Sequence, residues 1–122
     1  MTLPLREDRS PIWCAQEQLD AYNERDIERF ARVYSDDVEL IDLATQTVFC
    51  SGLDALRDRY GALFASRPGL HCTLTQRMNC PPYVIDEEFV VGHTGEAPVH
   101  AIAIYEVESG FIKRAWFVKE RA

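Results

Sequence analysis

The chain has 122 residues, with thirteen Lys or Arg against twenty Asp or Glu and a formal net charge of −7 at pH 7. That length fits one domain around one core, and an acidic balance without a basic stripe argues against nucleic acid or an anionic membrane as partner. No apolar run is long enough to span a bilayer and no secretory apolar segment opens the chain, so the expected location is cytoplasmic. Cys14, Cys50, Cys72 and Cys80 form no Cys-x-x-Cys pair and are expected as reduced thiols packed as small hydrophobes.

Residues 1–9 read as a polar leader before a single domain over 10–122. Ser10-Pro11 is a helix start, a hydroxyl N-cap followed by proline at the first helical position. Ile12, Ala15, Leu19 and Tyr22 then share one helical face, ending near Asn23. Asp26 caps a second short helix whose apolar side is Ile27, Phe30, Ala31, Val33 and Tyr34, broken by Ser35-Asp36-Asp37. Val38 to Leu43 reads as a strand with Val38, Leu40 and Asp42 on one face. Thr45 to Cys50 is either its partner strand or a loop. Ser51-Gly52 opens a third helix, with Leu53, Leu56, Tyr60, Leu63 and Phe64 spaced for burial, and Ser66 to Gly69 stops it.

Everything after Gly69 reads as β. Leu70, Cys72, Leu74, Gln76 and Met78 alternate with His71, Thr73, Thr75 and Arg77, and Tyr83, Ile85, Glu87, Phe89 and Val91 alternate with Val84, Asp86, Glu88 and Val90. A turn at His93 to Glu96 precedes Val99 to Val107, apolar on both faces, and Glu108-Ser109-Gly110 makes a hairpin into Phe111 to Lys119. The expected fold is α+β: three N-terminal helices on a strongly bent mixed or antiparallel sheet, a cone-shaped barrel around an apolar pocket.

This order of elements resembles the nuclear transport factor 2-like superfamily, in particular its SnoaL-like and ketosteroid-isomerase-like members. The matching residues are Ala21 to Ile27, Tyr34 to Asp42, Ser51-Gly52, Ala55 to Arg57, Tyr60, Tyr105 to Val107 and Gly110 to Ile112, within a resemblance over roughly residues 10–119. The resemblance implies the fold and leaves the function open between isomerases, cyclases, dehydratases, hydrolases and binding proteins. Carried over from the steroid isomerases, the aspartate base falls on Asp42 and two supporting tyrosines fall on Tyr34 and Tyr60. The tyrosine that donates to the enolate oxygen falls on Gln18 and the protonated aspartic acid of the oxyanion hole on Ala103, so the family's steroid chemistry is not expected.

Two readings of Asp42 stand side by side: a solvated residue opening a turn, or a pocket carboxylate acting as base. Glu87 interrupts an apolar stripe and is read as a second inward carboxylate, unless a register error or a local bulge turns it outward. Tyr34 and Tyr60 are expected to form a polar thread toward Asp42, with Gln18 as a weak oxyanion donor. Tyr22, Ile85, Phe89, Ala101, Ala103, Tyr105 and Trp116 are expected to line the pocket. His100 falls on the outer face with Ile102 and Ile104, where a homodimer contact is expected, and His93 lies in or beside a turn. The histidines have no metal-ligand spacing, and no phosphate loop or nucleophile triad is present, so neither a metal nor a cofactor is expected. The function these residues suggest is binding of a small apolar ligand, with cofactor-independent isomerase or lyase chemistry or non-catalytic binding or dimeric assembly as the alternatives.

Overall fold

A computed structural model of the chain describes residues 7–92 and 97–121. Three helices, α1 (Pro11–Glu24), α2 (Ile27–Ala31) and α3 (Leu53–Ser66), pack on one face of a six-stranded sheet. The strands are β1 (Tyr34–Asp42), β2 (Val48–Ser51), β3 (His71–Cys80), β4 (Tyr83–Val91), β5 (Val99–Glu108) and β6 (Phe111–Lys119). The turn expected at His93 to Glu96, with His93 itself, lies outside the described residues.

Local chemistry sets the helix ends. Ser10 Oγ accepts the Trp13 N–H at 3.1 Å with Pro11 in the first turn, and Asp26 accepts the Arg29 N–H at 3.1 Å. Helix α2 stops at Ala31, short of the Val33 and Tyr34 that periodicity assigns to it. Tyr34 instead begins β1 opposite Ile112, and the Ile112 N–H donates to Val33 O at 2.9 Å. Sheet pairing overrides a weak helical pattern in a β-branched and aromatic pair.

The sheet order is β2-β1-β6-β5-β4-β3, with β1 parallel to β6 and every other pair antiparallel. It is an α+β fold as expected, but the sheet is open, with edges at β2 and β3, and does not close into a barrel. Ser109 and Gly110, at φ 54° and 85°, form the two-residue turn that the right-handed twist of β5 and β6 favours. The core sits between sheet and helices, with Phe30, Leu40, Leu56, Ala103, Tyr105 and Ile112 buried in it.

Two register features decide what faces that core. A bulge between Leu74 and Gln76 interrupts the β3 alternation, so Cys72 stays inward while Gln76 and Met78, expected on the same face, end exposed. On β4 the inner residues are Val84, Asp86, Glu88 and Val90, the opposite parity to the expected one. Residues directly opposite across an antiparallel pair share a face: Asp86 lies opposite the fully buried Ala103 and Glu88 opposite the buried Ala101. Ile85, Glu87 and Phe89 are therefore on the outer face, opposite Ile104, Ile102 and His100, and Trp116 joins them opposite Ile104.

Candidate functional site

Between the helices and the inner sheet face lies a cavity of about 990 Å³. Its inner end is built from Gln18 and Tyr22 of α1, Phe30 of α2, Tyr34 of β1, Tyr60 of α3 and Tyr105 of β5. Phe30 fixes the rings, with centroids 5.0 Å from Tyr34 and 4.8 Å from Tyr60, while Tyr22 meets Phe64 edge-on at 5.5 Å. Its mouth is formed by exposed residues, among them Thr45, Thr47, Phe49, Arg59, Lys119 and Arg121.

Glu88 is the carboxyl group inside. It projects from β4 with Leu74 and Ala101 as its cross-strand neighbours, so apolar side chains flank it on both sides. Burial is the main reason its carboxyl rises from the ordinary 4.5 to about 7; the nearby Asp86 adds to the rise, while a Cys72 hydrogen bond and Arg77 oppose it. Cys72 is held there by Asn23, whose side chain bonds both its N–H (2.7 Å) and its carbonyl (2.9 Å).

Two residues back on the same face, Asp86 is 1% exposed and its two oxygens accept from Arg77 Nε at 2.7 Å and Nη2 at 2.9 Å. Arg77 also donates to Gln16 Oε1 at 2.8 Å, which ties β3 and β4 to α1. Asp86 is thus committed to structure, and Glu88 is the carboxyl left to the cavity.

The hydroxyls around Glu88 are poor acids that keep their protons and so remain donors. Burial above all, with the Glu88 carboxylate adding to it, raises Tyr22, Tyr34 and Tyr105 well above the ordinary 10 and Tyr60 to about 12. Tyr34 donates to Gln18 Oε1 at 3.4 Å, and Gln18 Nε2 donates to Ala15 O at 3.0 Å. Tyr105, 2% exposed, faces the cavity with no hydrogen-bond partner for its hydroxyl among the described residues. A buried hydroxyl in that condition is an open position for a ligand or a water.

Comparison with known proteins places this geometry. The SnoaL-like domain profile matches residues 15–115. The chain belongs to the SnoaL-like domain family. The fold is shared with an uncharacterised cystatin-fold protein of Novosphingobium aromaticivorans (TM-score 0.81, 23% identity, 89% of this chain and 97% of that one). It is shared with a Kribbella flavida protein provisionally described as a ketosteroid isomerase (TM-score 0.77, 19% identity, 94% and 80%). A Catenulispora acidiphila protein with a ketosteroid isomerase-like fold, solved in complex with trimethylamine, also superposes (TM-score 0.72, 14% identity, 86% and 83%). No curated protein matches the chain in sequence.

In this SnoaL-like domain Asp42 lines the cavity at its mouth, and its surroundings are those of a turn. Its Oδ1 accepts the Thr45 N–H at 2.9 Å, its carbonyl accepts the Gln46 N–H at 2.7 Å, and its own N–H donates to Thr47 O at 2.8 Å. The Thr45 bond, foremost, holds the carboxyl below its ordinary 3.8, which makes it a weak base. No thread from Tyr34 and Tyr60 reaches it: Tyr34 is bonded to Gln18, and neither hydroxyl bonds Asp42. Glu87, read from sequence as an inward acid, is a surface residue: its carboxylate bonds His100 Nε2 at 2.7 Å and Thr75 at 3.1 Å, and the His100 contact foremost lowers its pKa.

Of the expected lining, Tyr22, Ala101 and Tyr105 face the cavity, Ala103 is packed in the core beside it, and Ile85, Phe89 and Trp116 face away. Glu88 and Asp86 escaped the sequence reading because apolar count assigns the β4 faces the other way round. Among the described residues no cluster of three His, Cys, Asp or Glu could hold a metal ion, and no helix is long and apolar enough to cross a membrane.

Proposed function

We propose that this SnoaL-like protein binds a small, largely apolar molecule in the cavity and transfers protons on it without a cofactor, with Glu88 in the role the resemblance gives to Asp42. The observation that carries the proposal is the Glu88 carboxyl, poised near 7, facing a cavity lined by tyrosine hydroxyls. Ionised Glu88 removes a proton from a carbon next to a substrate carbonyl. The C–H electron pair forms a carbon–carbon double bond and the carbonyl oxygen gains the negative charge. The unpartnered Tyr105 hydroxyl donates to that oxygen, and Tyr60 lines the same cavity. In a β,γ-unsaturated substrate protonated Glu88 then gives the proton to the γ carbon as the carbonyl re-forms and the double bond shifts to α,β, an isomerisation; in a β-hydroxy substrate it protonates the hydroxyl, which leaves as water as the enolate collapses to the α,β-unsaturated carbonyl, a lyase reaction. Ala103 supplies no side-chain donor and the Gln18 amide already serves a helix carbonyl, so the reaction relies on tyrosines.

The test is exchange of the α-protons of β-tetralone in deuterated buffer, followed by proton NMR. The wild type is expected to accelerate exchange, with a rate rising as pH passes through about 7. Glu88→Gln is expected to lose about 10²–10⁴-fold, while Asp42→Asn keeps the rate. Equal rates for wild type and Glu88→Gln would end the proposal and leave a binding module.

The outer sheet face supports a homodimer. Ile102, Ile104 and Trp116 run across it, and Met78, Tyr83 and Phe89 are exposed at 59%, 38% and 38% beside them. Sedimentation velocity at micromolar concentration should give a dimer that Ile104→Lys converts to monomer; a monomeric wild type refutes this contact.

A further inference from the structure

The cavity mouth carries charge that the apolar interior does not explain. Among the described residues, most arginines are spent on carboxylates or backbone carbonyls: Arg9, Arg29, Arg32, Arg57, Arg77 and Arg114 form salt bridges, and Arg25 bonds the Leu70 carbonyl. Arg59, Lys119 and Arg121 have no carboxylate within salt-bridge distance among those residues, and all three line the mouth. They come from α3, β6 and the segment after β6, so the sequence does not cluster them; the fold does. The Arg59 guanidinium lies over the Phe49 ring at 4.8 Å, a stacking that steadies it and leaves its N–H edge free for a planar anion. Among the described residues Asp42 is the one carboxylate at this rim, engaged with the Thr45 N–H, so three cations stand there against one anion in a chain of net charge −7.

Across the sheet from Lys119 the demands differ: Glu88 stands two strands away on the same row, with Ala101 between them. Glu88 is flanked by Leu74 and Ala101, and an anionic group beside it would face a like charge in apolar surroundings. Deeper in, four residues along β5 from Ala101, the unpartnered Tyr105 hydroxyl asks for a neutral oxygen.

We infer that the ligand is an apolar carboxylic acid bearing a carbonyl or hydroxyl at its far end, its carboxylate held at the mouth by Arg59, Lys119 and Arg121 and its neutral oxygen near Tyr105. This rests on the cavity being the ligand site, as proposed above, and adds the chemical class and the direction of entry.

Fluorescence titration with a hydroxynaphthoate, its acid and hydroxyl at opposite ends of the ring pair, tests it against the methyl ester of the same compound and against naphthoate lacking the hydroxyl. The hydroxynaphthoate is expected to bind about tenfold tighter than its ester at low salt. That advantage should disappear near 1 M salt, where the screening length falls to about 3 Å, and in Arg59→Gln/Lys119→Gln/Arg121→Gln, which should keep the ester affinity. Tyr105→Phe should weaken hydroxynaphthoate several-fold and leave naphthoate unchanged. An ester that binds the wild type as tightly as the acid overturns the carboxylate inference and leaves the cavity reading intact. An equal loss of both acids in Tyr105→Phe overturns the orientation. Failure of all three compounds to bind the folded wild type removes the cavity reading and this inference together.

Discussion

Replacing Glu88 by glutamine should make the protein more stable at neutral pH, and the size of the gain follows from the site. Folding takes this carboxyl from an ordinary pKa of 4.5 to about 7, chiefly by burial. Between those values the unfolded chain has released a proton that the folded chain keeps. The native state binds more protons, so stability falls as pH rises across the window. Below it both states are protonated and the penalty vanishes; above it the penalty is complete. A shift of that size corresponds to about 3 kcal/mol, an upper figure because the cavity gives the carboxyl some water. The amide is neutral throughout and similar in shape, so it escapes the penalty. Urea unfolding at pH values from about 5 to about 8.5, for wild type and Glu88→Gln, should give curves that separate progressively, the variant gaining up to about 3 kcal/mol at the alkaline end. Subtracting the two curves removes His100, Asp42 and every other distant titrating group. Parallel curves would refute the placement of an unpaired carboxyl in the cavity.

Other expectations follow from the same geometry. Asp42→Asn should leave proton exchange within about twofold of wild type, because the carboxylate serves a turn and is too weakly basic for the chemistry; a loss comparable to that of Glu88→Gln would return the base to Asp42. Arg77→Met should destabilise by about 3–5 kcal/mol in urea unfolding, since it leaves the buried Asp86 without its bidentate partner. The same change should move the Glu88 titration upward in carboxyl carbon-13 NMR, because Arg77 is one of the groups holding it down. On the outer face, Glu120 first and then Glu87 raise His100 above its ordinary 6.5. Its stabilising contribution is therefore complete below 6.5 and fades as pH climbs through the raised value, and proton NMR of the imidazole should show Glu120→Gln lowering that pKa.

The helix starts and the β5–β6 turn were legible because each depends on a few adjacent residues: Ser10-Pro11, Asp26 and Ser109-Gly110 need no distant partner to act. Tyr34 was not, because its strand identity comes from Ile112, far along the chain. The site itself was half legible. Asp42 does line the cavity, yet only the folded turn reveals that Thr45 has already claimed its oxygen. The exchange of Glu87 for Glu88 has a physical root: the outer stripe of β4 (Tyr83, Ile85, Phe89, Val91) holds more apolar residues than the inner one (Val84, Val90), so hydrophobic count along β4 picks the wrong face. The β4–β5 register settles it, since Ala101 and Ala103 read correctly as inward and carry Glu88 and Asp86 with them.

These two carboxyls, two residues apart on one face, separate acid–base chemistry from passive binding. Asp86 has a bidentate partner and ties two strands to a helix; removing it would leave Arg77 stranded. Glu88 has no such partner, and near neutral pH it costs the fold stability that a glutamine would not. A pocket that only orients a ligand gains nothing from that cost, because an amide offers both a donor and an acceptor without a charge to desolvate. A group able to take up a proton and release it at the same pH is a different matter: burial provides it here, and the surrounding hydroxyls, too weakly acidic to compete for the proton, remain donors. The destabilising feature is the one that makes proton transfer feasible, and that coincidence favours Glu88 as a working acid and base.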